Sequence, residues 1–417
     1  MFRVTLLGLS VAVLAACSND QPAQPAAKPQ AAATPPPAPA APQPANAAII
    51  PSVGAAAYDP AVNAPPSAKA GPSPVLIKAE VLLDRAHFSP GVIDGKFGEN
   101  VHNAIAAFEA AHGMNPDGQL TPAVWQTLSA DKRPVLQNYV IAPQDVQGPF
   151  IGSLPAKFPA QAKLPYMGFL SPTQAIAEKF HMGEALLKSL NPGVDFSKPG
   201  TTIVVAAPDT TDLPEPVARV EVDKAHAAVR AYDASGRLIA DYPATVGSTD
   251  KPSPSGDLKV ARIDWNPTYH YDPKQLHFAH VNHAFSIKPG PNNPVGVVWI
   301  ALSKPTYGIH GAPAPQNIGK TASHGCVRLT NWDAVQLARA VTKGVEVVFL
   351  NQRPGTRSMA RNDLSPRRKA AARPAHVYDR PASPDQDTPP DTGADDGPPN
   401  DAAPPPPAPP PPDEPHR

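Results

Sequence analysis

A chain of 417 residues is long enough for two or three domains, yet its 59 prolines gather toward the two ends and leave the middle for packed structure. Lys plus Arg and Asp plus Glu each total 36, so the net charge is zero. No global field draws in nucleic acid or an acidic polymer, and a nucleic-acid partner is not expected.

In chain order, the first feature is Arg3, then an apolar run from Val4 to Leu14, then Leu14-Ala15-Ala16-Cys17. The apolar run is too short to span a membrane as a helix. It resembles the lipobox of bacterial lipoprotein signal peptides, which implies a signal peptide over 1–16 and a lipidated Cys17 as membrane anchor; a plain signal peptide cut near Ala16 is the alternative. Ser18 is similar to the outer-membrane sorting residue of Gram-negative lipoproteins. Residues 17–74 are rich in Ala, Pro and Gln, with Ile49, Ile50 and Tyr58 as exceptions, and the composition predicts a semi-extended tether.

Over 75–132, Val75, Ala79, Leu82 and Leu83 share one helical face, and Asp94-Gly95-Lys96-Phe97-Gly98 makes a turn. A second helix buries Val101, Ile105 and Phe108. After the turn Asn115-Pro116-Asp117-Gly118, a third runs from Thr121 to Leu128 with threonine as cap. This pattern resembles the small helical peptidoglycan-binding domain; a helical spacer that binds nothing is the alternative. Within 137–208, Ser171 opens one amphipathic helix, Glu184 to Leu190 forms another, and Thr202 to Ala206 is a strand. The run resembles a degenerate LysM module, a βααβ glycan-binding unit, with Gly168-Phe-Leu-Ser-Pro-Thr where that family has a Gly-Asp-Thr turn.

From 215 to 351 the texture is strands and turns. Val217 to Val222, Ala227 to Tyr232, Leu238 to Val246, the strand leading to Val260, Val295 to Leu302 and Val345 to Leu350 are expected strands, with one helix over Trp332 to Val341 capped by Asn331. Residues 352–417 turn basic, then acidic, then poly-proline, and read as a disordered tail. The fold class expected is multidomain: a small three-helix domain, a βααβ unit and a mainly-β domain between Pro-rich ends.

The chemistry-bearing stretch is Tyr307 to Leu329. With Cys17 lipidated, Cys326 is a lone thiol in an oxidising compartment, where an unpaired cysteine implies use. A thiol becomes a nucleophile as thiolate, and an imidazole is the usual means. His310 and His324 are both candidates, since His324 stands two residues from Cys326 and shares its face in an extended strand. The Ser323-His324-Gly325-Cys326 run suits close backbone approach to an oxyanion, and Arg328 suits a substrate carboxylate. Zinc ligation by His310, His324 and Cys326, with His277, His280 and His283 upstream, is the competing arrangement.

The order Asn293-Pro294-Val295-Gly296, Tyr307-Gly308-Ile309-His310-Gly311 and Ser323-His324-Gly325-Cys326-Val327-Arg328-Leu329, with Asn331 and Asp333 following, resembles the L,D-transpeptidase catalytic domain. The resemblance implies Cys326 as nucleophile, His310 rather than His324 as proton acceptor and donor, the Gly311 carbonyl as the group that orients the ring, and an oxyanion site shaped by His324 and Gly325. It implies neither metal nor cofactor. The reaction implied is attack on the L,D bond of a peptidoglycan tetrapeptide stem, release of D-alanine, and transfer of the acyl group to an amine: a diaminopimelate for 3-3 cross-linking, or a lysine of an envelope protein. Partners are then stem peptides, glycan and the membrane. A non-catalytic wall-binding lipoprotein and a carboxypeptidase or amidase on the same scaffold are the alternatives.

Overall fold

The first module is punctuated by proline. In the computed structural model, which describes residues 46, 48–64, 71–247, 253–274, 281–321 and 325–350, helix α1 (Ile49–Gly54) precedes α2 (Pro74–Arg85), α3 (Glu99–Ala111) and α4 (Pro122–Leu128). Pro74 and Pro122 stand in the first turns of α2 and α4, where a missing N–H costs nothing. Thr121 caps α4 by accepting from Val124 N at 3.3 Å. Between α2 and α3, the carboxylate of fully buried Glu80 accepts from the backbone N–H groups of Asp94, Gly95 and Lys96 at 2.9, 2.8 and 3.2 Å. The Asp-Gly turn is therefore held by a side chain one helix away.

The tether is shorter than composition suggests. Val53 and Val62 are buried, Ile49, Ile50 and Tyr58 pack on the same core, and Asn63 exchanges hydrogen bonds with the Leu120 backbone. Its few branched and aromatic residues find an apolar surface on α2 that local composition does not reveal. Cys17 and the tail over 352–417 lie outside the described residues.

The second module pairs β1 (Leu136–Val140) with β2 (Thr202–Ala206) antiparallel, and between them lie α5 (Phe158–Gln161), α6 (Pro172–Lys179) and α7 (Glu184–Leu190). Ser171 caps α6 by accepting from Gln174 N. About thirty residues separate β1 from α6, so the opening strand sits well upstream of the Gly168 turn where the pattern placed it. Modules one and two share one apolar core and exchange backbone hydrogen bonds between Ile93 and the His181–Gly183 turn.

The third module is mainly β: β3 (Arg219–Asp223), β4 (Ala228–Tyr232), β5 (Leu238–Pro243), β6 (Gly256–Trp265), the hairpin β7 (Tyr269–Tyr271) and β8 (Phe285–Ile287), β9 (Val298–Leu302), β10 (Gly308–His310), β11 (Val327–Arg328), helix α8 (Asn331–Ala340) and β12 (Glu346–Leu350). Among the described residues eight strands form one sheet, in the order β11-β10-β9-β6-β12-β3-β4-β5. The β10–β11 and β12–β3 pairs are parallel and the remainder antiparallel. The sheet curls until its ends meet: Thr245, just past β5, exchanges both backbone hydrogen bonds with Arg328 of β11, each at 2.9 Å. The β5 edge is further covered by the first module, where Ser89 N donates to Asp241 O and Asp241 N to His87 O.

Two local expectations shift. The strand expected from Val295 begins only at Val298, because Gly296, with φ of +63°, turns back onto Asn293 O. The cap of α8 is Thr330, whose hydroxyl accepts from Asp333 N at 3.1 Å, and Asn331 is the first helical residue, its side chain committed elsewhere.

Replacing Glu80 with alanine leaves three backbone N–H groups of the Asp-Gly turn without their acceptor, so Glu80→Ala is expected to cost on the order of 3 kcal/mol. Denaturant unfolding checks this, and Glu80→Gln, which keeps one acceptor oxygen, is expected to lose less.

Candidate active site

Three strands set the site in one row. His310, the last residue of β10, is in register with Trp299 on β9 and with Arg328 on β11. The Trp299 indole lies over the His310 ring at 5.2 Å between centroids and 24° between planes. It can do so because Gly308 carries no side chain: a Cβ there would collide with the indole. Trp299 did not stand out in the sequence, where tryptophan in an apolar run reads only as core, and Gly308 stood in the quoted motif without an assigned role.

His310 is fully buried, and its Nδ1 stands 2.6 Å from the Gly311 carbonyl oxygen. A carbonyl only accepts, so Nδ1 carries the proton and Nε2 presents its lone pair. That Nε2 is buried and has no hydrogen-bond partner among the described residues.

Cys326 precedes β11 and is 3% exposed. Its thiol donates to Thr306 O at 3.7 Å and receives the backbone N–H of Gly308. The preceding Gly325 has φ of +118°, a conformation open to glycine and strained for other residues. Around the sulfur, Tyr269, Tyr271, Trp299, Ile287 and Val295 form one apolar cluster. Tyr269 carries a buried hydroxyl with no hydrogen-bond partner among the described residues, and its titration is pushed up by burial first and then by the charge of Cys326. No sequence signal marked Tyr269, since the Tyr-His-Tyr run only becomes a pocket wall when β7 folds over the sheet.

The second module completes this enclosure. Phe158 of α5 and Met167 join the cysteine cluster, Phe158 meeting the Tyr269 ring at 6.2 Å. Met167 N donates to Pro289 O, Asn292 N donates to Met167 O, and the Asn292 side chain donates to Gly168 O at 2.7 Å.

Burial dominates the electrostatics. Removal from water pushes the Cys326 thiol up to about 12, against the Gly308 N–H and the Arg328 charge, which favour thiolate. The same burial, reinforced by Arg328, pushes the His310 imidazole down to about 3, against the Gly311 carbonyl. The resting state is therefore neutral thiol and neutral imidazole.

Of the residues singled out in the sequence, Cys326, His310, Gly311, Gly325 and Arg328 come together here. Arg328 is buried, at 3% exposure. Ser323 and His324 lie outside the described residues, as do His277 and His280. Among the described residues no group of three His, Cys, Asp or Glu side chains is arranged to hold a metal.

A curled mainly-β sheet with a buried Cys–His pair at its β10–β11 edge defines a scaffold that comparison with known proteins identifies. Residues 218–349 match the L,D-transpeptidase catalytic domain family, and residues 74–128 match the domain family named for peptidoglycan binding. A Bacillus licheniformis relative assigned the name L,D-transpeptidase YkuD is 31% identical over 179 residues, 42% of this chain and 90% of that protein. An Escherichia coli relative, named as L,D-transpeptidase YbiS, is 29% identical over 194 residues, 44% of this chain and 62% of that protein. Among solved structures, the L,D-transpeptidase from Mycobacterium smegmatis is 15% identical, with 36% of this chain and 64% of that one aligned at a TM-score of 0.28. The chain belongs to the L,D-transpeptidase family.

The buried ring makes a pH prediction. His310 is neutral when folded and gains proton affinity on unfolding, so its contribution to stability is complete above pH 6.5 and is lost as pH falls through that value toward 3. Cys326 has the opposite sign, contributing fully below pH 9 and losing that contribution as pH rises toward 12. Between pH 7 and 4 the wild type is expected to lose about 3 kcal/mol relative to His310→Gln, at 1.36 kcal/mol per pH unit below 6.5. Denaturant titrations at several pH values measure it, and a pH-independent gap between the two proteins contradicts a buried neutral ring.

Proposed function

We propose that this protein is a cysteine-dependent L,D-transpeptidase acting on peptidoglycan stems, with Cys326 as nucleophile and His310 as proton acceptor and donor. The observation that carries the reading is the state of His310: Nδ1 bonded to Gly311 O at 2.6 Å, Nε2 unpartnered among the described residues, and the thiol in the same water-poor pocket.

The chemistry follows from that arrangement. As the donor carbonyl enters, the Cys326 sulfur attacks its carbon while the thiol proton passes to Nε2. Charge grows on the carbonyl oxygen, and the Tyr269 hydroxyl and backbone N–H groups near Gly325 are the donors proposed to meet it. The bond from diaminopimelate to D-alanine then breaks, and the proton held by His310 passes to the departing amine. An acceptor amine attacks the thioester, forms the new amide and returns the thiol. Arg328 keeps a positive charge beside the sulfur throughout, and is also the residue proposed to attract a substrate carboxylate. Ser323 and His324 complete the proposed loop beside Gly325.

Placement follows from the other modules. The helical module and the LysM-like second module are proposed to hold the enzyme on glycan, and a lipidated Cys17 to hold it on the outer membrane, so that tethering raises the local concentration of a polymeric substrate. A diaminopimelate amine and a lysine of an envelope protein are the proposed acceptors.

Incubation of the full chain with tetrapeptide muropeptides is expected to yield D-alanine and dimers by mass spectrometry, and Cys326→Ala to yield neither. Release without dimers favours a carboxypeptidase; an inert wild type leaves a wall-binding lipoprotein. Carbapenems are expected to add to intact wild type and not to Cys326→Ala.

A further inference from the structure

The carbonyl that orients His310 does not stand alone. Gly311 and Gly296 both lack a side chain where Asn331 Oδ1 packs, and a Cβ at either position would collide with that oxygen. Asn331 Oδ1 also accepts from Val297 N at 3.3 Å. Its two Nδ2 hydrogens go to Pro291 O at 3.1 Å and to Glu178 Oε1 at 2.9 Å. Asn331 thus spends both donors and its carbonyl on fixed partners, and it is 3% exposed. Of its three hydrogen bonds, those to Val297 and Pro291 lie within the catalytic module. The third, to Glu178, reaches α6 of the preceding module, 153 residues away in sequence.

We propose that Glu178 is a positioning residue for His310: it fixes Asn331, Asn331 fixes the Gly296–Gly311 backbone, and the Gly311 carbonyl in turn sets the imidazole. The proposal rests on the reading of His310 as the base. Its consequence is that the preceding module completes the active site as well as covering it.

The surroundings favour a specific role over mere adhesion between modules. Glu178 borders two intermodule cavities of about 850 and 550 Å³, so its carboxylate is directed by the Asn331 bond rather than wedged by close packing. Docking has other supports: Gln174 pairs with Asn292 at 3.0 and 3.1 Å, and Asp84 of the first module pairs with His181, whose ring stacks on Trp332. Those bonds remain when Glu178 is changed. An amide oxygen can also accept from Asn331 Nδ2, and the neighbouring space admits the NH₂ group.

The test uses the full chain and D-alanine release from tetrapeptide muropeptides, with thermal unfolding alongside. Glu178→Ala is expected to lower kcat about tenfold with KM within about twofold, the result of a misdirected base rather than a lost binding contact. Glu178→Gln is expected to restore kcat to within about twofold of wild type, and Gln174→Ala, which loosens the same interface without touching Asn331, to stay within that range. Glu178→Asp, which retracts the acceptor but keeps the charge, is expected to be slow, and it replaces Glu178→Ala if that variant does not fold. In a double-mutant cycle, Asn331→Ala is expected to absorb the effect of Glu178→Ala. The proposal is overturned by wild-type kcat in Glu178→Ala and Glu178→Asp, by a Gln variant as slow as the Ala variant, by equal slowing in Gln174→Ala, or by additive losses in the cycle. A wild type that releases no D-alanine sinks the transpeptidase reading instead; the rate of Cys326 alkylation by iodoacetamide in the same variants then decides on Glu178.

Discussion

Burial of the His310 ring is the constraint from which the site follows. A charged imidazole away from water is costly, so the ring stays neutral, and a neutral ring offers one donor and one acceptor. The Gly311 carbonyl takes the donor, and this leaves the acceptor nitrogen buried without a hydrogen-bond partner among the described residues. The Trp299 face fixes the ring plane, and the fully packed cluster around Cys326 keeps water from competing. The same burial keeps the resting thiol protonated, and a neutral thiol that is 3% exposed is protected from oxidation.

The rest of the sheet serves that arrangement. Thr245 and Arg328 close the curled sheet by two backbone hydrogen bonds, so the short strand β11, only two residues long, has a partner on both sides. Without the closure, the loop that ends at Cys326 would hang from an edge. With it, Val327 and Leu329 are locked into the core and the sulfur is held against Gly308. The opposite edge, β5, is covered by the Phe88 turn of the first module, so the modules are structurally continuous.

That continuity gives the upstream modules a second physical role. Phe158 and Met167 wall the cysteine pocket, Asn292 anchors the Met167–Gly168 backbone, and Glu178 reaches Asn331. A junction built from Asp84, His181, Trp332, Asp333 and Ser89 ties all three modules together through polar groups. Burial pushes Glu178 and Asp333 up to about 7, so neither of these intermodule carboxyls is firmly ionised at neutral pH.

Local chemistry made much of the protein legible from its residues. Proline and threonine marked the start of α4, serine that of α6, apolar runs marked β2, β9 and β12, and the glycines of the Tyr307–Leu329 stretch marked a backbone that must approach closely. Those signals act within one turn or one strand; they singled out Cys326 with His310 and His324 as candidate partners, and only the family resemblance favoured His310 and gave the Gly311 carbonyl a role. They did not mark β7 or β11, which are too short to carry a pattern, and they misplaced the cap of α8 because Asn331 is a good cap whose amide is drawn away by Glu178, Pro291 and Val297. The apolar residues near Ile49 read as exceptions in a tether because their surface lies on another element. By itself the sequence determined the helical and mainly-β modules and, through its family resemblance, pointed to the Cys326–His310 pair, since both rest on short-range patterns. Only the tertiary structure decided the neutral state of that pair, its Trp299 and Tyr269 walls and its link to Glu178, because burial and contact across 153 residues exist only once the modules have packed.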